Sequence, residues 1–113
     1  MTTHRRSLSV DLVHPEHTDE AVLVVAGEPD VTTNGVVLAA GREALARGAR
    51  TVTVQCEGVS FFDSFAVRDL VELRAAAAET GASVQVEDAT RLVQAVLRVS
   101  GLEDLLAAHP APA

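Results

Sequence analysis

The sequence contains no tryptophan and no tyrosine, and only three phenylalanines among 113 residues. A core must therefore be aliphatic, built mainly from Val, Leu and Ala, in a chain that is 48% hydrophobic. There is one cysteine, Cys56, which excludes an internal disulfide and a multi-cysteine metal site. A reducing, cytoplasmic setting is the expectation. No stretch approaches the ~20 apolar residues of a membrane-spanning helix, so membrane insertion is not expected. Met1 to Arg6 is polar and is not followed by an apolar core of secretory length, so no signal peptide is read. Basic residues are outnumbered nine to sixteen, for a net charge of −7. Phosphate backbones and anionic lipid repel such a domain, which argues against nucleic-acid partners.

What is present reads as one domain over residues 8–108, with a flexible N-terminus at 1–7 and a flexible Pro/Ala tail at 109–113. Leu8 to Val13 alternates apolar and polar residues and predicts a strand with one buried face. Ala21 to Gly27 is continuously apolar and predicts a strand buried on both faces, near the sheet centre. Thr32 or Thr33 is placed to cap a helix running to about Gly48, with Val37, Leu38, Gly41, Ala44 and Leu45 on one face. Glu43 and Arg47 share its other face at a supportive spacing. Thr51 to Cys56 alternates again and predicts a third strand.

Glu57 to Ser64 reads as a loop feeding a helix from about Phe65 to Thr80, with Val67, Leu70, Val71 and Ala78 inward and Arg68 and Glu72 outward. Ser83 to Glu87 predicts a fourth strand. Thr90 is placed to cap a third helix carrying Leu92, Val93, Val96 and Leu97. Gly101 ends it, and Leu102 to Ala108 reads as a last short helix. Helices joining successive strands imply parallel crossovers, while the tight first connector implies an antiparallel first pair. Strands with a single apolar face put the helices on one side of the sheet.

All three aromatic residues fall within the five positions Phe61-Phe62-Asp63-Ser64-Phe65. That segment stands at a strand-to-helix junction, where the first N–H groups of a helix lack intrahelical partners and carry partial positive charge. A serine there caps the helix through its hydroxyl, or carries a phosphate held by the same N–H groups. Phosphorylation adds roughly −1.5 to −2 charge beside Asp63, which changes the local field without unfolding a domain. A plain N-cap at Ser64 with the phenylalanines in the core accounts for the same pattern.

Other candidates carry less. Cys56 continues the alternation of Val52 and Val54 and reads as a small core hydrophobe. No basic residue adjoins it to lower its pKa. His14 and His17 lie three apart in a connector, but a zinc site needs at least three protein ligands and no third is evident. Ser64 lacks the Gly-x-Ser-x-Gly elbow of a serine nucleophile. The histidines, His4, His14, His17 and His109, flank the first strand or lie in the tail. An enzyme is therefore not expected, and no metal or cofactor is implied. Leu102, Leu105 and Leu106, like the third helix, suit core packing as well as a partner groove.

Three stretches in register resemble the STAS family, in particular its anti-sigma factor antagonists. Gly27-Glu28-Pro29-Asp30 is similar to that family's Gly-Glu-Leu-Asp turn. Val59-Ser60-Phe61-Phe62-Asp63-Ser64 is similar to its hydrophobic-Asp-Ser signature, and Val99-Ser100-Gly101-Leu102 to its late Ser/Thr-Gly-Leu corner. The resemblance covers roughly Leu8 to Ala107. It implies an α/β fold: a mixed four- to five-stranded sheet with helices mainly packed on one face. It also implies that the unphosphorylated protein binds an anti-sigma factor serine kinase and so releases a sigma factor. The kinase phosphorylates the serine after the aspartate, here Ser64, and a serine phosphatase reverses this, as in partner switching during stress responses. The residues expected at the partner surface are Asp30, Asp63, Ser64, Phe65 and Arg68, although Asp30 equally suits an ordinary turn before a helix. The chain departs from the pattern at Phe65, where the family usually has a small residue, and at Ala66, where it usually has Gly. Pro29 replaces an aliphatic residue, and Gln55-Cys56 stands where Asp-Leu is common. Phe65 suits either a narrowed kinase approach or an aromatic anchor. A STAS adaptor in a signalling or transport assembly, with no phosphoswitch, is the alternative reading.

Overall fold

The computed structural model describes residues 2–5, 8–15, 17–28 and 33–107. Its elements in chain order are β1 (Thr2–Arg5), β2 (Leu8–Val13), β3 (Glu20–Gly27), α1 (Val36–Ala46), β4 (Thr51–Val59), α2 (Ser64–Glu79), β5 (Ser83–Glu87) and α3 (Arg91–Val99), followed by a 3₁₀ turn at Glu103–Leu105. The strands form one five-stranded sheet in the order β1-β2-β3-β4-β5. β1/β2 and β2/β3 pair antiparallel, and β3/β4 and β4/β5 pair parallel. The sheet is mixed, as expected, because only the later strands are separated by crossover helices.

Alternation builds the core. Leu8, Val10 and Leu12 of β2, Ala21, Leu23 and Val25 of β3, Val52, Val54 and Cys56 of β4, and Val84 and Val86 of β5 are all buried. Against this face pack Ala40 and Ala44 of α1, Leu70, Leu73 and Ala77 of α2, Val93 and Leu97 of α3, and Leu102 and Leu105 of the final turn. α1 and α2 approach closely: a Cβ built on Gly41 would lie 2.3 Å from Leu73 Cδ1.

Several local expectations are corrected. The segment before Leu8, expected to be flexible, supplies the edge strand β1, so Thr2–Arg5 is paired with β2. β3 does lie at the centre of the sheet, but its burial alternates and Val24 is 37% exposed. An apolar run marks a strand here without marking two covered faces, because the helices take only one. α1 begins later than expected, behind Gly35 in a left-handed conformation (φ 87°), and Gly35 gives no side-chain cap. Thr33 is buried, and Thr32 lies outside the described residues.

β4 runs on to Val59 instead of ending at Cys56, through a register shift opposite Val24 and Ala26. Gly58 permits this, since a Cβ there would come within 2.9 Å of Ala26 Cβ. On α2, Val71 and Ala78 face outward, and Leu73 and Ala77 are buried in their place. Leu92 of α3 is likewise exposed. The expected last helix is a single 3₁₀ turn, after which Leu106 bridges Val86 beside β5. The tail at 109–113 lies outside the described residues. Thr90 caps α3 as expected, its Oγ1 accepting the Val93 N–H at 3.2 Å.

Candidate functional site

The chain leaves the sheet at Val59 and reaches α2 through residues 60–63. Ser60 ties this connection to the end of β3, its N–H donating to the Gly27 carbonyl at 2.9 Å. Asp63 then takes extended backbone angles, and its Oδ1 accepts the N–H groups of Phe65 at 3.0 Å and Ala66 at 3.1 Å. Asp63, not Ser64, is therefore the N-cap of α2. Aspartate suits this position because it offers a charged acceptor to the positive end of the helix.

Ser64 is the first residue of α2 and is exposed. With Asp63 on the Phe65 and Ala66 amides, the first turn does not hold open the N–H cradle that the sequence suggested for an anion. The three phenylalanines divide. Phe62 is buried in the core, Phe61 is 44% exposed, and Phe65 is half-buried beside Ser64. Arg68 lies one turn along α2 and is exposed, its Nε donating to Glu72 Oε1 at 3.2 Å. Ser64, Phe65 and Arg68 thus start one outward helix surface, which Val71 extends. Of the expected partner-surface residues, Asp30 lies outside the described residues.

Sequence reading missed Asp69. It is 4% exposed, and its carboxylate accepts the N–H of Gly35 at 3.2 Å (Oδ1) and of Leu38 at 3.3 Å (Oδ2). A side chain on α2 thus serves as the missing cap of α1. Burial pushes its carboxyl above the usual range, the amides of Leu38 and Gly35 pull it back, and the charge of Glu72 raises it again. An aspartate on the inward face of α2, among Ala66, Leu70, Leu73 and Ala77, is the available signal, but its partners stand more than thirty residues away.

Cys56 is fully buried, and burial pushes its thiol up to about 12, so it packs as a hydrophobe and is a poor nucleophile. His14 Nε2 lies 3.1 Å from the Thr18 carbonyl, within its own connector. Among the described residues no helix is long and apolar enough to cross a membrane.

Comparison with known proteins places this geometry. Residues 13–107 match the family model described as "Mlab, STAS domain". Among solved structures, the unphosphorylated anti-sigma factor antagonist SpoIIAA superposes with a TM-score of 0.76 at 21% identity, over 91% of this chain and 88% of that one. An anti-sigma factor antagonist from Mycobacterium paratuberculosis gives 0.73 at 18% identity, over 91% and 87%. Bacillus SpoIIAA in its phosphorylated form gives 0.69 at 20% identity, over 91% of each. At these identities the likeness is one of fold. No curated protein matches the chain.

Proposed function

This chain belongs to the STAS domain family, and from that premise we propose that it is a cytoplasmic anti-sigma factor antagonist switched by phosphorylation of Ser64. The unphosphorylated chain docks an anti-sigma factor serine kinase through Ser64, Phe65, Arg68 and the segment carrying Asp30, and the sigma factor is released. The kinase then transfers the γ-phosphoryl group of ATP to Ser64 Oγ. The hydroxyl loses its proton and ADP leaves. A serine phosphatase hydrolyses the ester, which returns the hydroxyl and inorganic phosphate. The chain is a ligand and a substrate in this cycle, not a catalyst.

One observation carries the reading. Ser64 is exposed at the start of α2, while the neighbouring Asp63 performs the capping. A hydroxyl relieved of structural work and set on an outward helix surface is accessible to a kinase, and a dianion there alters docking at close range. The similarity in fold to anti-sigma factor antagonists, one of them phosphorylated, adds support.

Intact-mass analysis of the protein purified from its host, before and after phosphatase treatment, tests this. One phosphate mapped to Ser64 is expected, with Ser64→Ala retaining the kinase and Ser64→Asp binding it less. Modification found only at other positions overturns the reading. A second reading is a STAS adaptor. It is favoured by Phe61 and Phe65, which give the site an apolar rim suited to constitutive contact. Co-purification of a scaffold or transporter subunit, indifferent to Ser64→Ala and Ser64→Asp alike, would select it.

A further inference from the structure

Resting on the phosphoswitch reading, we propose that Arg68 is the counter-ion of phosphorylated Ser64, and that it changes partner from Glu72 to the phosphate when the switch is set.

The geometry that leads here begins with what the helix end does not offer. Asp63 already holds the amides of Phe65 and Ala66, and its charge opposes a second anion at the same place. A phosphate on Ser64 must find its positive partner elsewhere. Residues four apart on a helix are neighbours, about 5–6 Å between Cβ atoms. Arg68 stands four residues beyond Ser64, is exposed, and belongs to the same outward surface. Helical side chains lean over the turn N-terminal to their own Cα, which for Arg68 is the turn of Ser64.

The present partner of Arg68 is also easily displaced. The Arg68–Glu72 contact is a single bond from Nε at 3.2 Å, between side chains 66% and 42% exposed. Its order along the helix is the weaker one, base before acid. Phosphoserine at position 64 reverses that order and puts acid before base. It also brings roughly twice the charge of a carboxylate and three acceptor oxygens, which suit the guanidinium fork. Charge, orientation and valence all favour the exchange. The exchange withdraws a cation from the docking surface when the dianion appears there, and leaves Glu72 without its partner. One modification thus makes the outward surface over two turns of α2 more negative by roughly 1.5 to 2 charges.

The test installs phosphoserine at position 64 during translation, so its outcome does not depend on any host kinase. Absence of the mark in the host would sink the phosphoswitch reading and leave this result standing. Phosphorus NMR gives the second ionisation of the phosphate, ordinarily ~6, in the otherwise wild-type chain, in Arg68→Gln and in Arg68→Lys. Glu72→Gln is measured in the same way. The phosphate pKa is expected about half a unit lower with Arg68 present than in the Arg68→Gln variant, a difference that shrinks in high salt. Lysine should restore only part of it. Glu72→Gln, which frees Arg68 beforehand, should lower the phosphate pKa further. Equal phosphate values with and without Arg68, or a phosphate value unmoved by Glu72→Gln, overturns the proposal.

Discussion

Removing Asp69 should loosen the domain where α2 meets the start of α1, and by an amount the structure bounds. Its carboxylate is 4% exposed and accepts two backbone amides, at 3.2 and 3.3 Å, that begin α1. A hydrogen bond to a charged acceptor contributes about 1.5–3 kcal/mol, and an amide left unpaired in partly buried surroundings loses a similar amount. The desolvation that raises the carboxyl pKa offsets part of that gain. Asp69→Ala should therefore cost about 2–4 kcal/mol, a substantial share of the ~5–15 kcal/mol typical of a domain. At ~4 °C per kcal/mol for a chain of this size, the melting temperature should drop by roughly 8–16 °C. Asp69→Asn keeps one acceptor and should lose less than half as much.

Urea unfolding followed by circular dichroism, at several pH values, measures both. The folded carboxyl has its pKa raised above the unfolded value of 3.8, so the folded state holds the proton more tightly. That contribution is fully present below the unfolded pKa and is lost as pH rises through the folded one. The stability gap between wild type and Asp69→Asn should thus narrow from acid toward neutral pH. A gap that widens instead would refute the reasoning, because it would mean that the two amides outweigh burial. An Ala variant as stable as wild type would refute the assignment of Asp69 as a cap.

Asp63→Ala should cost about 1 kcal/mol by thermal unfolding, the usual loss for an N-cap, while Ser64→Ala stays within about 0.5 kcal/mol; the reverse order would return the cap to Ser64. Gly41→Ala should destabilise by about 1–3 kcal/mol despite alanine's higher helix propensity, because the new methyl meets Leu73 Cδ1. Less destabilisation by Gly41→Ala in a Leu73→Ala background than in wild type would show the clash in a double-mutant cycle, and simple additivity would rule it out.

The parts legible in sequence were those set by near neighbours. Thr90 read as a cap because its target amide is three residues away, and the Ser83–Glu87 strand because its alternation is local. Glu43 and Arg47 pair at 3.0 Å, as their spacing required. What was misread depends on distant partners. The start of α1 follows from Asp69 across the helix pair, and the length of β4 from a bulge against β3. Apolarity alone points Val71 inward, although the buried arc of α2 is set by where α1 and β5 press on it. At the candidate site the strand-to-helix junction was plain from its residues. The exchange of roles between Asp63 and Ser64 was not, since either side chain makes a good cap and only backbone angles decide which residue stands just outside the helix.

That exchange of roles bears on how the molecule would age in use. The footing of α2 rests on the Asp63 carboxylate, a group separate from the Ser64 hydroxyl. A group added to the Ser64 oxygen, and later cleaved, would leave those two hydrogen bonds in place. On the proposed phosphoswitch, marking and erasure would leave the start of α2 folded, and the lifetime of the signal would not be tied to that of the protein.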